Sequence, residues 1–264
     1  MSSVSSKPVQ AELPSMANGA KVPWNPWLGV IFVVLIFLGS EVLGSLLTSL
    51  YPVARHWSNQ QTTNWLNTVT AEFIFILLAE TAVVVSIYLF VRRYRHGFAM
   101  IGLRRPRWSD PVYGLAAVLP YFVLYLLTVG VVIQLVPSLN VNEKQQLGFN
   151  SVQGGGQLLM TFISLVVLPP IAEEIMVRGF LYSSLKKALP TVWAVVLTSA
   201  LFAAAHLPEG GSNGLLWIAA LDTFVLSLVL IYLREKTGSL WASMTLHAIK
   251  NGVAFTSLFA LHMR

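Results

Sequence analysis

The sequence predicts an all-α fold, a polytopic transmembrane helix bundle of seven spans, or eight if the fourth is divided. Three observations predict it. Of 264 residues, 55% are hydrophobic and only 11% are charged, whereas a soluble domain carries about 25% charged residues. Apolar stretches recur at the roughly 18 or more residues that a bilayer core demands. These stretches are continuous rather than short and alternating, which argues against a β-barrel. Helices satisfy their own backbone groups in lipid, so each stretch reads as a helix.

Residues 1–23 are rich in Ser, Pro and Ala and lack apolar periodicity, so they read as a disordered N-terminal tail. They are not a cleavable signal peptide: the first apolar run is too long, and no basic segment leads into a short one. The spans follow at about 27–50, 66–91, 112–136, 157–188, 191–207, 214–233 and 239–261. The fourth is interrupted by Pro169-Pro170, the only reason to consider an eighth. The longest connection, 137–156, is polar and ends in three glycines. No internal repeat accompanies these spans, which argues against an inverted-repeat transporter. Residues 24–264 therefore form a single membrane domain without a soluble module.

The sequence pI near 9.7 invites a nucleic-acid reading, but the basic residues are placed for a membrane. Arg92, Arg93, Arg95, Arg104, Arg105 and Arg107 crowd one loop between two spans. Such a cluster marks the cytoplasmic side. Alternating the spans from there puts Lys7, Lys21, Lys186, Lys187, Arg234 and Lys236 on that side too, and only Arg55, Lys144 and Arg264 on the other. The expected location is the cell membrane, with the 92–107 loop and the N-terminus cytoplasmic. The partners are the lipid bilayer and a substrate within it, not nucleic acid. There are no cysteines, which excludes disulfides, thiol catalysis and cysteine metal sites.

Charges inside the spans carry the chemistry. An ionisable residue at membrane depth costs about 2.5–3.5 kcal/mol on insertion scales, so it marks a function or a partner. Glu173, Glu174 and Arg178 lie within one and a half turns. Glu174 and Arg178 stand at i, i+4 and form a structural ion pair. Glu173 is rotated about 100° away and is left over. His206 ends the run LFAAAHLP, where a helix-end histidine at an interface is the plainer reading. His247 and Asn251, again at i, i+4, look into one groove, where interhelical hydrogen bonding is the plainer reading. The depths, however, agree. If a hairpin turns at Pro190, Glu173 lies 17 residues before it and His206 lies 16 after it. At about 1.5 Å per residue the two are nearly level. Asn251 lies 13 residues beyond Gly238, roughly 20 Å along its own helix. A carboxylate beside an imidazole can activate water, and an imidazole with an amide can hold an oxyanion. That is equipment for hydrolysing an acyl bond.

The motifs EEIMVR (Glu173–Arg178), FAAAH (Phe202–His206) and HAIKN (His247–Asn251) resemble the CPBP family. This is the group of CAAX prenyl proteases and bacteriocin-processing intramembrane endopeptidases. Its pattern is E-E-x-x-x-R, then F-x-x-x-H, then H-x-x-x-N. The resemblance covers about 157–255. It implies that Glu173 and His206 activate a water, that His247 and Asn251 stabilise the oxyanion, and that Glu174 and Arg178 organise the first motif. The chain departs from the family at Ser227 and Ile231, where glycines are usual, and at Val177, where an aromatic is usual. These departures touch helix packing and the substrate groove rather than catalytic groups.

No cofactor is expected. The alternative is a divalent metal such as zinc on Glu173, His206 and His247, a donor set that serves zinc although H-E-x-x-H is absent. Neither G-x-S-G nor G-x-G-D occurs, which argues against serine and aspartyl intramembrane proteases. The expected function is an endopeptidase cutting a membrane-associated CAAX-type or leader peptide with a Glu/His-activated water. The alternative is a non-catalytic partner-binding or immunity protein of the same fold. Among the remaining charges, Lys250 needs a partner among Glu41, Glu80 and Asp222. Trp24, Trp27, Trp57, Trp65, Trp108 and Trp241 fall near span ends and are expected to form an aromatic belt.

Overall fold

A computed structural model describes residues 22–143, 145–149 and 152–260. The tail assigned to 1–23 lies outside the described residues except for its last two, as do Lys144 and Arg264. All regular structure among the described residues is helical.

Helix α1 (Pro26–Ala54) is started by Asn25, whose side chain accepts from the amides of Trp27 and Leu28, with Pro26 at the first helical position. Its buried stripe is Gly29, Val33, Ile36, Ser40, Gly44, Thr48 and Pro52. Small residues in that stripe allow close approach to the next long helix, as helix pairs in lipid require. Short α2 (Asn59–Leu66) opens on a Ser58–Gln61 capping box. It is followed by α3 (Val69–Val91), which packs along α1. A Cβ on Gly44 would stand 3.2 Å from the Phe75 ring.

A single turn, α4 (Gly97–Met100), lies in the basic loop. Helices α5 (Ser109–Ala116) and α6 (Val118–Leu135) form one apolar segment of 27 residues. The fourth span is α7 (Gly154–Phe162), a π-helical segment Ile163–Val167, α8 (Leu168–Glu173), a second π segment Glu174–Leu181, and α9 (Tyr182–Ala188). Pro169-Pro170 changes its hydrogen-bond register without ending the helix, so it stays one segment, Gly154–Ala188. Helix α10 (Thr191–Ala205) returns antiparallel through the turn at Pro190 and ends in the 3₁₀ turn Leu207–Asn213. Helix α11 (Trp217–Thr237) stops at Gly238, whose φ of +65° suits glycine. Helix α12 (Leu240–Phe255), capped by Ser239, continues as a π segment Thr256–Ala260.

Six of these segments are long and apolar enough to cross a membrane: Pro26–Ala54, Val69–Val91, Ser109–Leu135, Gly154–Ala188, Thr191–Gly210 and Trp217–Thr237. The predicted seventh span is helical but more polar, because it carries His247, Lys250 and Asn251.

The basic loops meet at one end of the bundle. Lys187 donates to the Trp24 carbonyl at 2.7 Å, and Lys186 pairs with Glu235. Arg234 donates to the Met100 carbonyl, and Arg104 bonds both Asp110 and the Thr237 carbonyl. At the other end Gln145 and Gln146 are held on the 3₁₀ turn: Gln146 N donates to the Glu209 carbonyl at 2.9 Å and Gln145 to the Glu209 carboxylate at 2.7 Å.

One tryptophan departs from the expected belt. Trp24 is buried, stacked on Phe180 with centroids 4.9 Å apart and planes 8° apart, and its indole donates to Ser184 Oγ. The polar edge of an indole needs a partner when buried, and Ser184 supplies it. Proximity to a span end therefore misplaced this residue. Trp27 and Trp108 remain exposed.

Candidate active site

The two glutamates approach one histidine from opposite sides. The second π segment and α8 place Glu174 and Glu173, and α12 places His247 against both. Glu174 Oε1 accepts from His247 Nδ1 at 3.1 Å and from Arg178 Nη1 at 3.0 Å. Glu173 Oε2 stands 3.8 Å from His247 Nε2. Because a carboxylate oxygen only accepts, the Nδ1 proton of His247 belongs to Glu174, and Nε2 is the nitrogen turned to Glu173. An orienting partner on one ring nitrogen sets the function of the other.

Glu174 and Arg178 are fully buried. The expected i, i+4 ion pair forms, and it also orients His247, which the sequence spacing alone did not show. The guanidinium lies 4.0 Å from the Phe202 ring centroid. This cation–π contact accompanies the arginine nitrogens Nε and Nη2, which have no hydrogen-bond partner among the described residues.

Phe202 joins the site together. Its ring meets the His206 ring edge-on at 4.6 Å and the His247 ring at 6.3 Å. The sequence offered Phe202 only as a motif letter. Its role as the platform under both imidazoles needs the third dimension. His206 is the residue that ends α10, as the helix-end reading expected. Its Nδ1 donates to the Phe202 carbonyl at 2.8 Å, and its Nε2 is 3.9 Å from Glu209 Oε1. Both histidines therefore commit Nδ1 and present Nε2. The imidazole beside Glu173 is that of His247, while the Glu209 carboxylate stands beside His206.

Asn251 has a definite partner. Its Nδ2 donates to the Leu165 carbonyl at 2.9 Å. That carbonyl would be served by the amide of residue 169 in an α-helix or of residue 170 in a π-helix, and both are prolines without an N–H. Asn251 supplies the missing donor and keeps one amide hydrogen free.

The cleft has a sealed floor and an open side. Glu174, Arg178 and Phe202 form the floor. Glu173 is 20% exposed, His206 18% and Glu209 31%. Lys250 joins the open side, 3.0 Å from Asp222 Oδ2, and Asp222 Oδ1 accepts from Tyr121. Of the three candidate partners for Lys250, Asp222 is the one it takes. Glu80 lies within electrostatic range of both Glu41 and Glu173. Among the described residues, no group of three or more His, Asp or Glu side chains is placed to hold a metal ion. The family departures Val177, Ser227 and Ile231 are all buried.

Residues 155–253 match the family model described as type II CAAX prenyl endopeptidase Rce1-like. The match runs from α7 into α12 and contains all six residues Glu173, Glu174, Arg178, His206, His247 and Asn251. No curated protein and no solved structure matches the chain. Over this segment the chain is similar to the Rce1-like CAAX proteases, in line with the motif resemblance.

Proposed function

We propose that the protein is an intramembrane endopeptidase that hydrolyses a peptide bond of a membrane-associated substrate, of the CAAX or leader-peptide type. The observation that carries this reading is the pair Glu173 Oε2 and His247 Nε2, 3.8 Å apart, with His247 fixed by the buried Glu174–Arg178 pair. That separation is too long for a direct hydrogen bond, and Glu173 Oε2 has no other hydrogen-bond partner among the described residues, so it is left to bind a water beside His247.

In this mechanism Glu173 takes a proton from the water, and His206 Nε2 accepts its second hydrogen. The oxygen attacks the scissile carbonyl. The proton gained by Glu173 passes to His247 Nε2, whose Nδ1–H is already held by Glu174. His247 Nε2–H and the free N–H of Asn251 then face the oxyanion. Collapse of the tetrahedral intermediate returns the proton to the leaving amine, which completes hydrolysis. Zinc would enlist Glu173, His206 and His247 as ligands and supply a polarised water. In the metal-free route, activity survives exhaustive chelation. Loss of activity restored by zinc would assign the metal route instead.

The topology we adopt has seven spans, with Leu240–Ala260 as the seventh and the basic end of the bundle cytoplasmic. Purified protein in proteoliposomes, incubated with an internally quenched peptide library, tests the activity. Glu173→Gln and His206→Ala should each lower cleavage by about 10²–10⁴-fold while inserting as the native chain does. Full activity in either variant rejects the mechanism.

A further inference from the structure

The ionisable groups of the cleft divide by accessibility. Arg178 is enclosed between Glu174 and the Phe202 ring and fully buried, so its guanidinium is not presented to a substrate on the open side. Lys250 does. It follows His247 by three residues on α12, so the two side chains are neighbours about 5–6 Å apart at Cβ. Its ammonium lies within electrostatic range of both His206 and His247. Among the described residues it is the one lysine or arginine on the open side, paired with Asp222 and within electrostatic range of Glu209.

Lys250 is also held in place. Asp222 on α11 pairs with it at 3.0 Å, and Tyr121 on α6 donates to the other Asp222 oxygen. Three helices thus fix an ammonium that has three donors and has spent one on Asp222. Asn251, the neighbouring amide, has already given one hydrogen to the Leu165 carbonyl. A tetrahedral oxyanion forming beside Glu173 and Glu209 adds negative charge where carboxylates are concentrated. A preorganised cation there stabilises the transition state more than the uncharged substrate.

We propose that Lys250 is a further catalytic residue: its ammonium, positioned by Asp222 and Tyr121, holds the oxyanion together with Asn251. This rests on the peptidase reading. Asp222 and Tyr121 are positioning residues in it.

The test uses the full chain in proteoliposomes, an internally quenched peptide that it cleaves, and a phosphonate analogue of that peptide. Lys250→Gln should lower kcat by about 10²-fold and change KM by less than about twofold. Lys250→Arg should recover part of the loss. Across native protein, Lys250→Arg, Lys250→Gln and Asp222→Asn, the inhibition constant of the phosphonate should rise in proportion to the loss in kcat/KM. Binding of an uncleavable reduced-amide peptide, which lacks the oxyanion, should stay constant. A purely structural role would weaken both inhibitors alike, or neither, and would overturn the proposal. If Lys250→Gln does not fold, Lys250→Arg and Tyr121→Phe carry the same comparison, and a constant phosphonate-to-reduced-amide ratio in them overturns it. Native protein that cleaves no peptide removes the peptidase reading itself. Native protein that cleaves, with Lys250→Gln at full kcat, removes only the role of Lys250.

Discussion

At the scale of single residues, Glu174 matters through what it holds. One carboxylate oxygen serves both Arg178 and His247, and all three groups are buried. Removing one partner of a buried pair leaves an uncompensated charge, at about 3–5 kcal/mol. Arg178→Met should therefore destabilise the protein by about that much, read by thermal unfolding in detergent. The double variant Arg178→Met/Glu174→Gln should recover much of the stability but none of the activity, because His247 loses its charged orienting partner. Equal stability of the single and double variants would contradict the pairing. The pair was legible in the sequence because both members lie on one helix at a fixed spacing. Phe202, Tyr121 and Asp222 were not legible as parts of the site. Phe202 meets His206 along its own helix, but its contacts with His247 and Arg178, like the Tyr121–Asp222–Lys250 contacts, join different helices, and no spacing along one segment encodes a contact between segments.

At the scale of elements, the fourth span shows how two prolines can sit inside a crossing helix. Pro169 and Pro170 remove both amides that could serve Leu165, and Asn251 on α12 replaces them. An unsatisfied buried carbonyl costs about 1–3 kcal/mol, so Asn251→Ala should lower stability by that amount. Pro169→Ala restores an amide to the α-helical register. Combined with Asn251→Ala it should cost less than the sum of the two changes, a coupling that a double-mutant cycle measures. Strict additivity would show that the two sites are independent. A sequence reading of the prolines as a break, or as a division into two spans, misses this repair because the donor lies 86 residues away. The π segments were equally hidden, since their shift in register follows from packing rather than composition. Close approach of helices is a second element-scale constraint. A Cβ on Gly114 of α5 would meet the backbone carbonyl of Ala242 on α12 at 2.7 Å. Backbone cannot give way as a side-chain tip does. Gly114→Ala should push α5 from α12, the helix that carries His247, and lower both thermal stability and cleavage. An unchanged melting profile would show that the helices have room to separate.

At the scale of the whole molecule, the distribution of charge was the most legible feature, because topology acts on loops and loops are contiguous in sequence. The basic loop 92–107, Lys186, Lys187 and Arg234 gather at one end of the bundle through the Lys187–Trp24, Lys186–Glu235 and Arg234–Met100 contacts. The open side of the cleft lies toward the other end. His206 there leads into the turn carrying Glu209, and Asp222 stands in the first turns of α11. If Lys and Arg set orientation, the cleft opens on the face away from the cytoplasm. The chain has no cysteine, so single cysteines report without background. We expect a membrane-impermeant maleimide on intact cells to label Thr63→Cys, on α2, and Leu215→Cys, before α11. Arg95→Cys, in the basic loop, should be labelled only after permeabilisation. The opposite pattern would invert the molecule and bring the cleft's open side to the cytoplasmic face. The source of the substrate would change with it, because a peptide bond must be presented to Glu173 from the side on which that cleft is open.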